Sequence, residues 1–404
     1  MDYKVIFLKN DEFKEAVLEL EMDIAALSAY KDIEFLEYQV SRIIKLEQML
    51  RLDEKEAVGK YLLHLLEKQE VSNVIEVMTE RVGLLKELCA EFSCKNKTDE
   101  KFCSLYQYIL SENVNSLYEH MVSNFTRYFV EDTNNANNLL KSYNRTLYWG
   151  ALDYWTGNYE LIKNRAESLI QNADAMLWMY LSLEDYTSKD IMFRVLHNWI
   201  TFSHRTLQEM PRNQYDQYFD YDILNGSCGN VFIDAGAYKG DTVAAFVENF
   251  KNYQRIYSYE ITPDTYEELK NNVALYKNIV CSRCGIADQP GSMYVNVCED
   301  IGGNRLGGEG DIEVPVVTLD NNVSEKIDFI KMDIEGAEYS ALIGAKEHIK
   351  NDHPKMAIAA YHNNVDIFRL AQVIHEIEPG YKFYYRYYGG TLYPNDYVLY
   401  AIYS

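Results

Sequence analysis

The sequence predicts a chain of two classes: an all-helical region over about 1–210 and an α/β domain with a doubly wound, mostly parallel sheet over 211–404. Three observations carry this. All seven prolines and sixteen of the twenty glycines lie at or after position 211, and both residues disfavour helix interiors. Before that point apolar residues recur at three- and four-residue steps, as along one face of a helix. After it, short β-rich runs alternate with helical ones, the rhythm of strands joined by crossover helices.

In chain order, Phe13, Val17, Leu20, Ile24 and Leu27 form the first helical stripe. Leu36, Val40, Ile43, Ile44 and Leu50 form the second, and Val71, Val74, Ile75, Met78, Val82 and Leu85 the third. Polar breaks at 91–101 and at Asp132-Thr133-Asn134-Asn135 mark loops, with candidate sub-boundaries near 95 or 135. The run Tyr154–Glu160 reads as the turn of an ordinary helix pair, since a solenoid would need several copies. Many of the 35 tyrosines lie in this region, among them Tyr106, Tyr108, Tyr118, Tyr128 and Tyr143. Tyrosine fills cores and also favours interfaces, so a protein partner or a homo-oligomer contact is expected here if anywhere.

From 213 onwards the strands can be counted. They are Val231–Ile233, Ile256–Glu260, Asn278–Arg283, Ile327–Met332, Lys355–Tyr361, Lys382–Tyr388 and Val398–Tyr403, with helices at 242–251, 264–276, 335–350 and 365–376. The last two strands are joined by Gly389–Asp396, too short for a crossover helix, so they pair antiparallel. An otherwise parallel sheet closed by an antiparallel hairpin is a Rossmann-like, class I methyltransferase architecture. Met293–Val297 and Val314–Leu319 read as an inserted hairpin, whose glycine-rich loop Gly302–Gly308 has the make-up of a lid.

The first strand runs into Asp234-Ala235-Gly236-Ala237-Tyr238-Lys239-Gly240-Asp241-Thr242. A dinucleotide fingerprint is G-x-G-x-x-G and a P-loop ends in G-K-S/T; this turn is neither. Acid beside the turn opposes a pyrophosphate and favours a cationic ligand. Glu260 ends the second strand about twenty residues on, where a ribose is gripped in such folds. A positively charged nucleoside without phosphates points to S-adenosylmethionine.

Composition sets the outer limits. With 404 residues, 48% hydrophobic and 25% charged, the chain is of ordinary globular make-up. A net charge of −23 argues against a nucleic-acid partner, which needs a basic face. Seven scattered cysteines suit free thiols in a reducing compartment. Cys281-x-x-Cys284, lacking a second pair, reads as structural rather than as a zinc or redox site. No apolar run reaches membrane-spanning length and Val5–Leu8 is too short for a signal-peptide core, so a cytoplasmic location is expected.

The C-terminal part resembles the FkbM family of S-adenosylmethionine-dependent methyltransferases over roughly 228–404, beginning as early as Leu183-Glu184-Asp185 with Ser188-Lys189. The resemblance rests on Phe232–Ala237 with Gly240-Asp241-Thr242, Tyr259-Glu260 with Pro263, Val314–Asp320, Ile327–Glu338, Tyr361-His362 with Asp366, and the closing strands. Ile261 and Asn363 depart from the family pattern, and residues 1–180 have no counterpart in it. The resemblance implies methyl transfer to a hydroxyl oxygen on a sugar, glycolipid or secondary metabolite. A peptide or carrier-bound acceptor held by the helices is the alternative, and a non-catalytic interaction protein with a degenerate cofactor domain is a second.

The cofactor is then expected to touch Asp234 and the turn residues Gly236, Ala237, Tyr238, Gly240 and Thr242 at its methionine end. Glu260 is expected at the ribose, Gly285, Ile286 and Asp288 at the adenine, and Ile261 and Asp333 among the other cofactor contacts. Asp333 and Glu335 end the fourth strand, and if extended geometry continues both face the methyl. One of them, or His362 at the end of the fifth strand, takes the acceptor's proton. The same three side chains also make a carboxylate–histidine set suited to a divalent cation, although base chemistry without a metal is the preferred reading. Lys331 is expected to balance these acids or to form a structural ion pair.

Overall fold

A computed structural model describes residues 10–30, 33–50, 58–92, 94–146, 148–296, 305–307 and 312–404. The chain divides into two compact units, Met1–Gln107 and Tyr108–Ser404. The expected boundary at 210 therefore falls inside the second unit, where the helices from 114 onwards share a body with the sheet.

In the first unit the helices Asn10–Tyr30, Ile33–Met49, Gly59–Glu67 and Val71–Phe92 enclose one apolar core. The three sequence stripes supply it: Phe13, Val17, Leu20, Val40, Ile43, Met78 and Leu85 are all buried, with Ile44 and Ile75 at its margin. Each such side chain contributes on the order of 1.5–3 kcal/mol by leaving water. Glu47 is buried in this unit beside Arg81, at 2.8 Å, and accepts the amides of Val58 and Gly59 at 2.9 and 3.0 Å. It thus holds the first turn of the third helix to the second.

The second unit carries a seven-stranded sheet. Its strands are β1 Val231–Ala235, β2 Arg255–Tyr259, β3 Ile279–Ser282, β8 Phe329–Met332, β9 Lys355–Ala359, β10 Tyr381–Tyr387 and β11 Tyr397–Tyr403. Their spatial order is β10-β11-β9-β8-β1-β2-β3. β11 runs antiparallel to both β9 and β10, and the remaining pairs are parallel. The expected hairpin is present, with its second strand inserted between β9 and its own partner. A smaller sheet, β4 Gly285–Ile286, β5 Gly291–Asn296, β6 Arg305–Gly307 and β7 Ile312–Val317, contains the expected inserted hairpin. Except for 305–307, the loop read as a lid lies outside the described residues.

The order reverses at β1, which pairs with β2 on one side and β8 on the other. Ligands of such sheets bind beyond the carboxyl ends at this switch point. In the core packed on the sheet Phe232 stacks on Phe246 and Phe329, with ring centroids 4.3 and 5.3 Å apart.

The helices of 114–208 are fastened to the sheet through polar contacts. Glu184 N donates to Phe383 O at 3.1 Å, and Ser188 Oγ accepts from Tyr385 N at 2.8 Å. Arg386 pairs with Asp185 at 2.8 Å and with Asp220 at 2.9 Å. Asp185 also accepts Ser188 N, capping the helix Tyr186–Thr201. The resemblance that begins near Leu183 thus coincides with a segment bound along β10. Among the described residues no helix is long and apolar enough to cross a membrane.

Candidate active site

A cavity opens at the carboxyl ends of β1, β2 and β8. The turn supplies Gly236, Tyr238, Asp241 and Thr242; the end of β2 supplies Tyr259, Glu260, Ile261 and Thr262; Cys284, Gly285 and Ile286 follow β3. Lys331, Asp333, Ile334 and Glu335 come from β8 and the loop after it, and Gln217 and Tyr218 complete the wall.

The turn folds as it does because two glycines sit where no side chain fits. Gly236 has φ +75°, and a Cβ there would lie 1.8 Å from Asp333 O. Gly236 N and Ala237 N both donate to Tyr259 O, at 3.0 and 2.9 Å, which draws the turn over the end of β2. Gly240, at φ +86°, opens the helix Asp241–Asn249, and a Cβ there would meet Val273 at 2.8 Å. The glycines therefore serve close approach of the chain to itself as well as to a ligand.

Several expected cofactor residues lie off the cavity. Asp234 is fully buried, 3.1 Å from Lys331 Nζ. The same ammonium donates to Gly236 O at 2.6 Å and to Ala235 O at 3.3 Å. Burial pushes the Asp234 carboxyl up while Lys331 draws it back down. Burial also opposes the Lys331 charge, but Asp234 and then Asp333 outweigh it and raise its pKa. Asp234 therefore acts on the cavity through Lys331 and the Gly236 carbonyl. Ala237 belongs to the apolar core and Gly240 packs under the turn. Asp288 exchanges two hydrogen bonds with Ser340, at 3.0 and 2.9 Å, and faces that helix.

The remaining expected residues meet. Glu260 is 8% exposed, with Oε1 accepting Thr262 N at 2.8 Å. Burial raises its pKa, and the Thr262 and Ile261 amides offset part of the rise. Ile261, Gly285 and Ile286 form an apolar and main-chain slot beside it.

At the other end Asp333, Glu335 and His362 lie together, though not by extended geometry. β8 ends at Met332; Glu335 and Gly336 then turn at φ +58° and +102°, bringing Glu335 round beside Asp333. The expected helix 335–350 accordingly begins only at Glu338 and breaks into Glu338–Ile343 and Lys346–Asp352. His362 is wholly buried; its Nε2 is 3.2 Å from Glu335 Oε2 and 3.4 Å from Asp333 Oδ1. Nδ1 is 2.8 Å from Glu338 Oε1, which also accepts Ile334 N at 3.0 Å. Burial alone would strip the imidazole of its proton, but Glu338 and Glu335 hold its pKa well above the ordinary value.

Other partners have no local sequence signal. Tyr148, between two helices, donates to Glu335 Oε2. Trp149 Nε1 donates to Tyr361 O at 2.9 Å, and Tyr218 to Asp333 Oδ2 at 2.7 Å. Cys284, read as structural, lines the cavity, and burial lifts its thiol to about 11.

Comparisons with known proteins agree with this geometry. Residues 234–383 match the family described as the methyltransferase FkbM domain. The methyltransferase FkbM from Methylobacillus flagellatus KT is similar at 26% identity and a TM-score of 0.50, over 59% of this chain and 61% of that one. The two thus share about three-fifths of that protein's length. More distant matches are an rRNA methylase from Streptococcus thermophilus (12% identity, 45% of this chain and 93% of that one, TM-score 0.30) and the fibrillarin from Aeropyrum pernix, whose structure holds S-adenosyl-L-methionine (12%, 44% and 67%, 0.28). No curated protein matches the chain. Residues 234–383 are therefore a methyltransferase FkbM domain, lying within the unit that Tyr148 and the helices around it complete.

Proposed function

We propose that the chain is an S-adenosylmethionine-dependent methyltransferase that methylates a hydroxyl oxygen of a sugar, glycolipid or secondary metabolite. One observation carries the reading: a single cavity joins Glu260 and the Gly236 turn to Asp333 and Glu335, with His362 buried behind the two acids, within a domain of this family. The residues present fit the donor. Glu260 accepts from ribose hydroxyls, the slot at Ile261, Gly285 and Ile286 takes the flat base, and acids at both ends suit a cation.

When bound, S-adenosylmethionine supplies a methyl group on a positively charged sulfur. The chain's part is to place the acceptor oxygen in line with that methyl, where positioning gives most of the rate. Asp333 and Glu335 are the groups that orient the acceptor hydroxyl and take its proton. His362 is held charged between Glu335 and Glu338, so it steadies the carboxylates and gives up its own proton before it can act as a base. Tyr148, whose hydroxyl donates to Glu335, brings the helical part of the unit to the acceptor side, and the buried Trp149 anchors it there through Tyr361 O.

The test is incubation with cell extract and donor labelled in the methyl group, followed by mass spectrometry of the labelled product. A labelled small molecule whose label survives mild base as an ether supports the reading. Label found only on protein favours a peptide or carrier-bound acceptor, and donor binding without turnover on any fraction would count against an enzyme.

A further inference from the structure

The acids beside the cavity are poorly balanced. Asp333 and Glu335 are about a quarter exposed, and Glu338 and Asp366 are buried behind them. Against these stand His362 and Lys331, and Lys331 is engaged by Asp234. Acids in a group are commonplace, so the cluster alone carries nothing. His362 adds an independent observation. Its ring is wholly buried, and its Nε2 makes no hydrogen bond, although it is aimed between two carboxylate oxygens.

The other ring nitrogen explains the aim. Glu338 Oε1 receives Nδ1–H, and the Ile334 amide pins that oxygen in turn. A carboxylate on one imidazole nitrogen fixes the ring, so that the other nitrogen offers its lone pair once an incoming cation has displaced its proton to water, the arrangement that supports a metal-bound histidine. The spacing also fits. Ligand atoms at about 2.1 Å from one ion lie roughly 3.0–3.4 Å from their neighbours in tetrahedral or octahedral geometry. Nε2 is 3.2 and 3.4 Å from the two oxygens, and one ligand atom from each of the three residues lies within 4.8 Å of the others.

We propose that Asp333 Oδ1, Glu335 Oε2 and His362 Nε2 bind one divalent cation, with Glu338 as the positioning residue that orients His362. An imidazole with two carboxylates favours ions such as Mn2+ or Zn2+ over Mg2+ or Ca2+. Tyr218 stays on Asp333 Oδ2, clear of the ion. Tyr148, now on Glu335 Oε2, either remains as a neighbour of the bound oxygen or yields its place. The ion's purpose rests on the methyl-transfer reading of the same cavity; its binding does not.

The experiment uses the full chain stripped with chelator and titrated with Mn2+ alone, followed by electron paramagnetic resonance and calorimetry, with Zn2+ as a second probe. One site at micromolar strength is expected, weakened about a hundredfold or more in Glu335→Gln and His362→Ala. Glu338→Gln should weaken it about 10–100-fold, and the exposed control Glu268→Gln should leave it unchanged. Tryptophan fluorescence checks that each variant is folded; if His362→Ala is not, Glu335→Gln decides. Absence of a single site below millimolar Mn2+ or Zn2+, or equal binding in wild type and Glu335→Gln, overturns the proposal. Donor affinity is measured separately without metal, so donor binding without metal binding sinks the cation site alone, and the reverse sinks the methyl-transfer reading alone.

Discussion

Replacing Lys331 with methionine isolates the buried pair on which the turn is built. Lys331 is 2% exposed and Asp234 fully buried, so the change leaves a carboxylate in the interior with no opposite charge beside it. Breaking such a pair costs about 3–5 kcal/mol, because the surviving charge keeps its desolvation penalty. The Gly236 carbonyl also loses the donor that reaches it at 2.6 Å. Asp234→Asn should cost less, since the ammonium keeps two carbonyl acceptors. The double variant removes both charges and should therefore be more stable than Lys331→Met by about 1–3 kcal/mol. Urea unfolding followed by tryptophan fluorescence is the assay. Trp149, Trp155, Trp178 and Trp199 are the chain's four tryptophans, and all lie in the second unit. If the double variant loses the sum of the two single losses, the side chains do not act on each other and the account of the turn fails.

Glu260→Ala should weaken S-adenosylmethionine binding by about 1–3 kcal/mol through lost hydrogen bonds to a charged group; unchanged affinity in calorimetry would remove Glu260 from the ribose. Tyr148→Phe should lower turnover about tenfold while sparing donor affinity, because its hydroxyl reaches Glu335 and not the donor end; a loss confined to donor binding would argue otherwise. Gly236→Ala forces a Cβ to within 1.8 Å of Asp333 O at positive φ, so donor binding or folding should be lost, and normal binding would refute the close approach. Burial, and then Glu338, push Asp366 up from 3.8 to about 7. Its proton is thus held more tightly in the folded chain, and stability falls as pH rises through that interval. Asp366→Asn should flatten this fall, and equal slopes for variant and wild type between pH 4 and 8 would show that Asp366 is not its source.

Local pattern sufficed for most of the secondary structure, the helix expected over 335–350 excepted. Helical stripes such as Phe13–Leu27 and the β-branched run at Val231 encode their own elements, because periodicity and glycine placement act over a few residues. The positions of Gly236, Glu260 and Asp333 just beyond strand ends were likewise legible, because each directly follows a β-rich run.

What the sequence alone determined is therefore the alternation of strands and helices, the antiparallel closure and the acids at the carboxyl edge. Tertiary structure alone decided what those acids touch. Asp234 meets Lys331 because β1 and β8 place them side by side in register, although 97 positions separate them. Tyr148 reaches Glu335 across 187 residues and Tyr218 reaches Asp333 across 115. Even the pairing of Asp333 with Glu335 came from a left-handed turn at Glu335 and Gly336 rather than from an extended strand. The physical reason is one of range. A residue's neighbours within a turn or two are set by backbone geometry, whereas partners across the fold are set by which surfaces bury together, and no short window of sequence records that.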